Sequence, residues 1–252
     1  MSRAINNPDP LADAVLQNAG GISVDELAPR SDWSGMGELD HSVQFYEADT
    51  SLLDSLAGFI GTGLERGDAA IVVATEAHRE ALDERLEARG LDVASAKAAG
   101  QYVSLDASET LAKFMVDGSP DSAIFRDVIG GLVERAAAGR PAVRIFGEMV
   151  ALLWAEGKCE EATNLEGLWN ELHKTHRFSL LCGYPMNGFC GESMAEPLHS
   201  VCAQHSSVVP AESYTSLNGA DERLRAIILL QQKARLLEAE IAERKDAEVS
   251  LR

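Results

Sequence analysis

From His41 onward, apolar residues alternate between short runs and helical faces. Val43, Phe45 and Tyr46 make a first strand. Asp49-Thr50-Ser51 suits a helix N-cap, and Leu52, Leu53, Leu56, Phe59, Ile60 and Leu64 then share one face. Gly67 is placed to end that helix in a left-handed conformation. Residues 69–75, AAIVVAT, form a continuous apolar run of the kind buried on both faces of a parallel sheet. A charged helix over 76–89 stops at Gly90, and Tyr102, Val103 and Leu105 form a third strand ending at Asp106.

Ser108 is positioned to cap a helix bearing Leu111, Phe114 and Met115. Ser119-Pro120 then predicts another, with proline at its first helical position, an apolar face from Ile124 to Val133 and a stop at Gly139. Residues 143–155 carry the most information. Val143, Ile145 and Phe146 are a fourth strand, Gly147 breaks it, Glu148 sits at the junction, and Met149, Val150, Leu152, Leu153 and Trp154 repeat at helical spacing. A helix over 160–173 presents Leu165, Leu168, Trp169 and Leu172, and residues 178–184 form a fifth strand. Five such alternations predict an α/β fold, a mostly parallel sheet of five or more strands with helices on both faces.

After Pro185 the pattern loosens into a loop, one or two helical turns over 198–205, and an extended Val208-Val209-Pro210. From Ala220 a long helix begins, and Ile227, Leu230, Ala234, Leu237 and Ile241 recur at steps of three and four, the spacing of a two-stranded coiled-coil seam. The expected organisation is an arm over 1–38 pinned by Trp33, a body over 39–212, and a coiled-coil helix over 218–252. With no Gly, Pro or cap after Glu-Val-Ser-Leu-Arg, that helix is expected to lead into a further output module.

Charge narrows the partners. The chain carries a net −18, yet residues 221–252 hold seven acidic and seven basic residues, so the whole excess lies in 1–220. Such a body repels phosphate backbones and anionic lipid, so no nucleic-acid or membrane partner is expected. No apolar run reaches the ~18 residues of a membrane span, and the N-terminus lacks a signal-peptide core, which predicts a cytoplasmic protein with reduced thiols.

Common catalytic signatures are missing. The only Gly-Lys pair, Gly157-Lys158, is followed by Cys159 and preceded at position 152 by Leu, so there is no phosphate loop; neither G-x-G-x-x-G nor G-x-S-x-G occurs. No enzymatic activity is expected of this region. Ligands of open parallel sheets bind beyond the strands' carboxyl ends, which singles out Glu148 together with Glu47, Thr75, Asp106 and Tyr184. The competing reading of Glu148 is a carboxylate at a helix start, favoured by the macrodipole. His199, Cys202 and His205, spaced three apart, with Cys182 and Cys190 upstream, offer donors for zinc or another transition metal. His41, at the beginning of the first strand, is expected at the edge opposite the crevice as a structural histidine. His173 is read as surface, Cys159 and Cys182 as buried thiols, and Trp154 and Trp169 as core.

Taken together, His41-Ser-Val-Gln-Phe-Tyr-Glu, Phe146-Gly-Glu-Met-Val-Ala-Leu-Leu-Trp, Leu165-Glu-Gly-Leu-Trp-Asn, Leu180-Leu-Cys-Gly-Tyr-Pro and Val201-Cys-Ala-Gln-His-Ser-Ser-Val-Val-Pro resemble the MEDS domain, the methanogen/methylotroph DcmR-type sensory domain, over about residues 39–212. The resemblance implies a RecA-like fold without a phosphate loop. It also implies a sensor of hydrocarbon-type or chlorinated small molecules, placed ahead of transcriptional or kinase modules. The positions that match are His41, Glu148, Cys182, Tyr184, Cys202 and His205. The tail from Leu237 is similar to the signalling helix that precedes PAS or histidine-kinase modules.

The resulting expectation is the input domain of a two-component sensor histidine kinase. A small molecule would bind at the carboxyl edge, near Glu148, Tyr184, Cys182, His41 and Asp106, and the C-terminal helix would form a homodimer. A metal- or thiol-based redox sensor built on Cys182, Cys202 and His205, with His199, is the alternative, and a degenerate nucleotide-binding domain a weaker third.

Overall fold

The structure, a computed structural model, describes residues 33, 37, 39–189, 195–217 and 219–250, with the backbone alone at 195, 243 and 245–250. The expected arm lies outside them apart from Trp33, Gly37 and the residues just before His41, as does Cys190. Residues 30–216 make one compact unit, and the segment from Leu217 falls in a second.

Within the first unit the strands are β1 (His41–Tyr46), β2 (Ala69–Ala74), β3 (Tyr102–Asp106), the two-residue β4 (Met115–Val116) and β5 (Ser119–Pro120), then β6 (Val143–Gly147), β7 (Ser179–Pro185) and β8 (Ser207–Val209). Six of them form one sheet in the order β3-β2-β6-β7-β1-β8, with every pairing parallel. The Val208-Val209 stretch is thus a sixth strand at an edge, where Ser42 Oγ and Ser207 Oγ lie 2.8 Å apart.

The connecting helices are α1 (Asp49–Glu65), α2 (Glu76–Ala88), α3 (Val93–Ala98), α4 (Ala107–Ala112), α5 (Ser122–Phe125), α6 (Gly131–Ala137), α7 (Met149–Ala155), α8 (Cys159–His173), α9 (Ala195–Gln204) and α10 (Glu212–Thr215). Strand side chains alternate between faces. Tyr46, Val72, Phe146 and Leu181 pack with α1, α2 and α3, whereas Val43, Ile71, Ile145, Leu180 and Cys182 pack with the helices from α4 onward. The sheet is therefore covered on both sides, as its apolar strands require. Trp33 is buried against Phe59, and its carbonyl accepts from Arg144 at 3.4 Å.

Three local expectations change. Asp106, not Ser108, caps α4 by accepting from Glu109 N, and that helix ends before Met115. Ser119-Pro120 belongs to a small hairpin with Met115-Val116, turned by Asp117 (φ 51) and Gly118 (φ 88). Both turn residues are left-handed, as the tight mirror-image hairpin turn demands. The following helix begins at Ser122 under a cap from Asp121, whose carboxylate accepts from Ala123 N and Ile124 N, and it passes through a π-helical stretch, Arg126–Gly130. Finally, α1 has Ala48 as its N-cap with no side-chain cap; the Glu47 and Ala48 N–H groups donate to the Glu212 carboxylate of α10.

In the second unit, α11 (Ala220–Ser250) is a single long helix. Leu224, Ile228, Leu229, Leu230, Leu236, Leu237 and Ile241 are all exposed on it. No helix among the described residues is long and apolar enough to cross a membrane.

Candidate functional site

Two constellations of polar side chains stand out, one at the carboxyl rim of the sheet and one beneath α8. At the rim, the crossovers after β1 and β2 lie on one face and those after β3, β6 and β7 on the other, so β2 and β6 flank a topological switch point. Glu148 leaves β6 at that point. Its N–H donates to Val73 O at 2.9 Å, and its Oε2 accepts from Thr75 N at 2.8 Å, which ties the two strand ends together. His78, one turn into α2, donates Nδ1–H to Glu148 Oε1 at 2.7 Å, while its Nε2 lies 3.6 Å from Asp49 Oδ1 on α1. The bond to Glu148 raises the His78 pKa above the ordinary imidazole value, against a smaller opposing effect of burial. Burial, with the charges of Glu148 and Asp49, pushes the Tyr46 hydroxyl far up, so it remains a neutral donor beside them. Asp106 is near the same rim but already engaged, capping α4 and pairing with Arg79 at 3.4 Å.

The second constellation is interior. His41, Cys182 and Tyr184 project from β1 and β7 on one face, in the register that sets Val43 beside Cys182. Over them lies α8, whose buried stripe is Ala162, Leu165, Glu166, Trp169 and Leu172. Glu166 is fully buried. Its Oε1 accepts from Tyr184 OH at 2.9 Å and lies 3.5 Å from His205 Nε2; its Oε2 lies 3.2 Å from His41 Nε2 and accepts from Cys182 Sγ at 3.5 Å. Cys182 Sγ is also 3.5 Å from His41 Nε2. Burial pushes the Glu166 carboxyl up, but the neighbouring His205 and His41 more than offset it and hold it well below the usual carboxylate range. Burial first, and then the Glu166 charge, drive the Cys182 thiol well up.

The ligand-contact residues expected from sequence therefore separate. Glu148 and Asp106 are at the rim, whereas His41, Cys182 and Tyr184 are inside. Of the expected metal donors, Cys182 and His205 come together with His41 and Glu166, while His199 is exposed on α9 and Cys202 is half-buried against the core, outside the group. The reason is angular. Each three-residue step falls about 60° short of a full helical turn, so His199 and His205 diverge by about 120°. His173 is not a surface residue; half-buried, it stacks on Phe178 with ring centroids 4.0 Å apart and donates Nε2–H to Phe178 O at 3.0 Å. Burial lowers its pKa to about 4.

Tyr46 and Asp49 were expected only as a strand residue and a helix cap, and two further participants escaped sequence reasoning. Glu166 was visible as a carboxylate inside an apolar stripe, four residues after Ala162 and three before Trp169. His78 carried no such signal, since it lies in a charged helix and meets Glu148 only through the sheet.

The model of the methanogen/methylotroph DcmR sensory domain, MEDS, matches residues 40–200. A search of curated proteins returned no match.

Proposed function

The chain belongs to the MEDS family of sensory domains, and from that premise we propose that it is the small-molecule input module of a multidomain signalling protein. The cue binds at the carboxyl rim, at the switch point between β2 and β6. The observation that carries this reading is the convergence of Tyr46, Asp49, His78 and Glu148 from four separate elements at that rim. A ligand that competes for the His78–Glu148 bond alters the attachment of α2 to β6. Such a cue is transmitted only if it binds two arrangements of the rim unequally.

Output passes through α11. Its exposed leucines and isoleucines fit pairing with the same helix of a second chain, and a change of pairing reaches whatever module follows, a histidine kinase being the one the signalling-helix pattern suits. The test is native mass spectrometry of the purified chain for a retained small molecule. Wild type is expected to keep one ligand per chain, and Glu148→Gln or His78→Gln to lose it. Equal retention by both variants, or none by wild type, contradicts the rim assignment.

A further inference from the structure

The interior cluster has a feature that an ordinary buried ion pair does not need. Asn170 Nδ2 donates to the Gln204 carbonyl at 3.0 Å and to Gln204 Oε1 at 2.9 Å, which turns its Oδ1 toward His41 Nδ1, 2.9 Å away. An amide oxygen only accepts, so Nδ1 of His41 carries a proton. His205 Nδ1 faces the Val201 carbonyl at 2.6 Å and is a donor for the same reason. Both imidazoles thus have Nδ1–H committed to an oxygen and Nε2 directed at Glu166. That outer-shell arrangement is the usual one for metal-bound histidine.

Distances point the same way. His41 Nε2, His205 Nε2, Cys182 Sγ and a Glu166 oxygen all lie within 4.8 Å of one another. Three close separations, 3.2 Å from His41 Nε2 to Glu166 Oε2 and 3.5 Å from Cys182 Sγ to each of those atoms, match tetrahedron edges of about 3.3–3.6 Å, given metal–nitrogen bonds near 2.0 Å and metal–sulfur bonds near 2.3 Å; His205 Nε2 lies 3.5 Å from the other carboxylate oxygen, Oε1. The His205–Glu166 separation is long for a hydrogen bond. His205 Nε2, with its side chain fully buried, has no hydrogen-bond partner.

We infer that His41, Glu166, Cys182 and His205 form a binding site for one divalent transition-metal ion, with zinc the best fit to a nitrogen, sulfur and oxygen donor set. The charges balance. A 2+ ion is neutralised by one thiolate and one carboxylate, leaving a neutral site in the interior. Cys182 gives up its thiol proton to solvent on binding, and each imidazole binds through an Nε2 freed of any proton it shares with Glu166. The Tyr184 hydroxyl stays protonated and orients Glu166. This site is independent of the rim, and its success or failure leaves the ligand reading untouched.

The test uses the full chain, stripped with chelator and titrated with Zn(II) or Co(II). One equivalent per chain is expected. Cobalt should give visible bands of tetrahedral geometry and a thiolate-to-cobalt charge-transfer band, and zinc should raise the melting temperature. Cys182→Ser should abolish the charge-transfer band. Asn170→Ala, which keeps all four ligands, should weaken binding about 10–100-fold, whereas His199→Gln and Cys202→Ser should leave it unchanged. Less than about half an equivalent in wild type overturns the inference and identifies the cluster as an imidazolium–carboxylate pair. So does a cobalt spectrum without the thiolate band, or binding lost on removing Cys202. If the Cys182 variant fails to fold, the wild-type spectrum and the Asn170 variant still decide the matter.

Discussion

Arg144 sits in the middle of β6 with its guanidinium buried. Its Nε donates to Asp68 Oδ2 at 3.2 Å and its Nη1 to Phe59 O at 2.9 Å. Removing one member of such a pair leaves the other charge buried without compensation, so Arg144→Ala is expected to cost about 3–5 kcal/mol in a urea titration. A Cβ on Gly63 would stand 2.5 Å from Arg144 Cδ, and Gly63→Ala should destabilise through the same pair. Two histidines should titrate with opposite signs. The His78 pKa is raised by Glu148, so its stabilisation is complete below about pH 6.5 and is lost as pH rises through the higher folded value. For His173, depressed to about 4, neutral imidazole is the favoured form, so stability falls as pH drops from about 6.5 toward 4. Melting temperatures from pH 4 to 8 should show the first slope vanish in His78→Gln and the second in His173→Gln. Unchanged slopes would deny these groups their roles. At this scale the sequence was only partly legible. Glu148 announces itself by its position between a strand and a helix, but its partner His78 is 70 residues away, and only the strand order brings them together.

At the level of elements, periodicity proved a good guide where burial dominates. β2 and the stripe of α8 follow directly from their apolar spacing, because an all-apolar run has nowhere to lie but inside the sheet. Pro120 shows the opposite case. A proline with fixed φ suits either a first helical turn or an extended edge, and the deciding information lay upstream, in the left-handed Asp117-Gly118 turn. Gly118→Ala should therefore cost on the order of 1–2 kcal/mol in denaturant unfolding, since alanine is strained at φ 88; an unaffected midpoint would show that the hairpin does not constrain the fold. A spacing of three predicts one helical face bearing His199, Cys202 and His205. Two steps of three residues drift too far for that, so only His205 arrives at the cluster.

Across the whole molecule, the parallel sheet with helices on both faces followed from the alternation of strands and helices. Which residues meet beneath α8 did not, because that depends on β1 pairing with β7 and on α9 returning over them. The sensory role rests on the family, and the proposed path of the signal on the exposed apolar residues of α11. The most direct measurement is light scattering of the whole chain over a range of concentrations, beside a variant with polar residues at Ile227, Leu230 and Leu237. A wild-type dimer and a monomeric variant, its body still folded by circular dichroism, are the expected result. A monomeric wild type, or a variant dimer as tight as wild type, would contradict a signal carried by paired terminal helices.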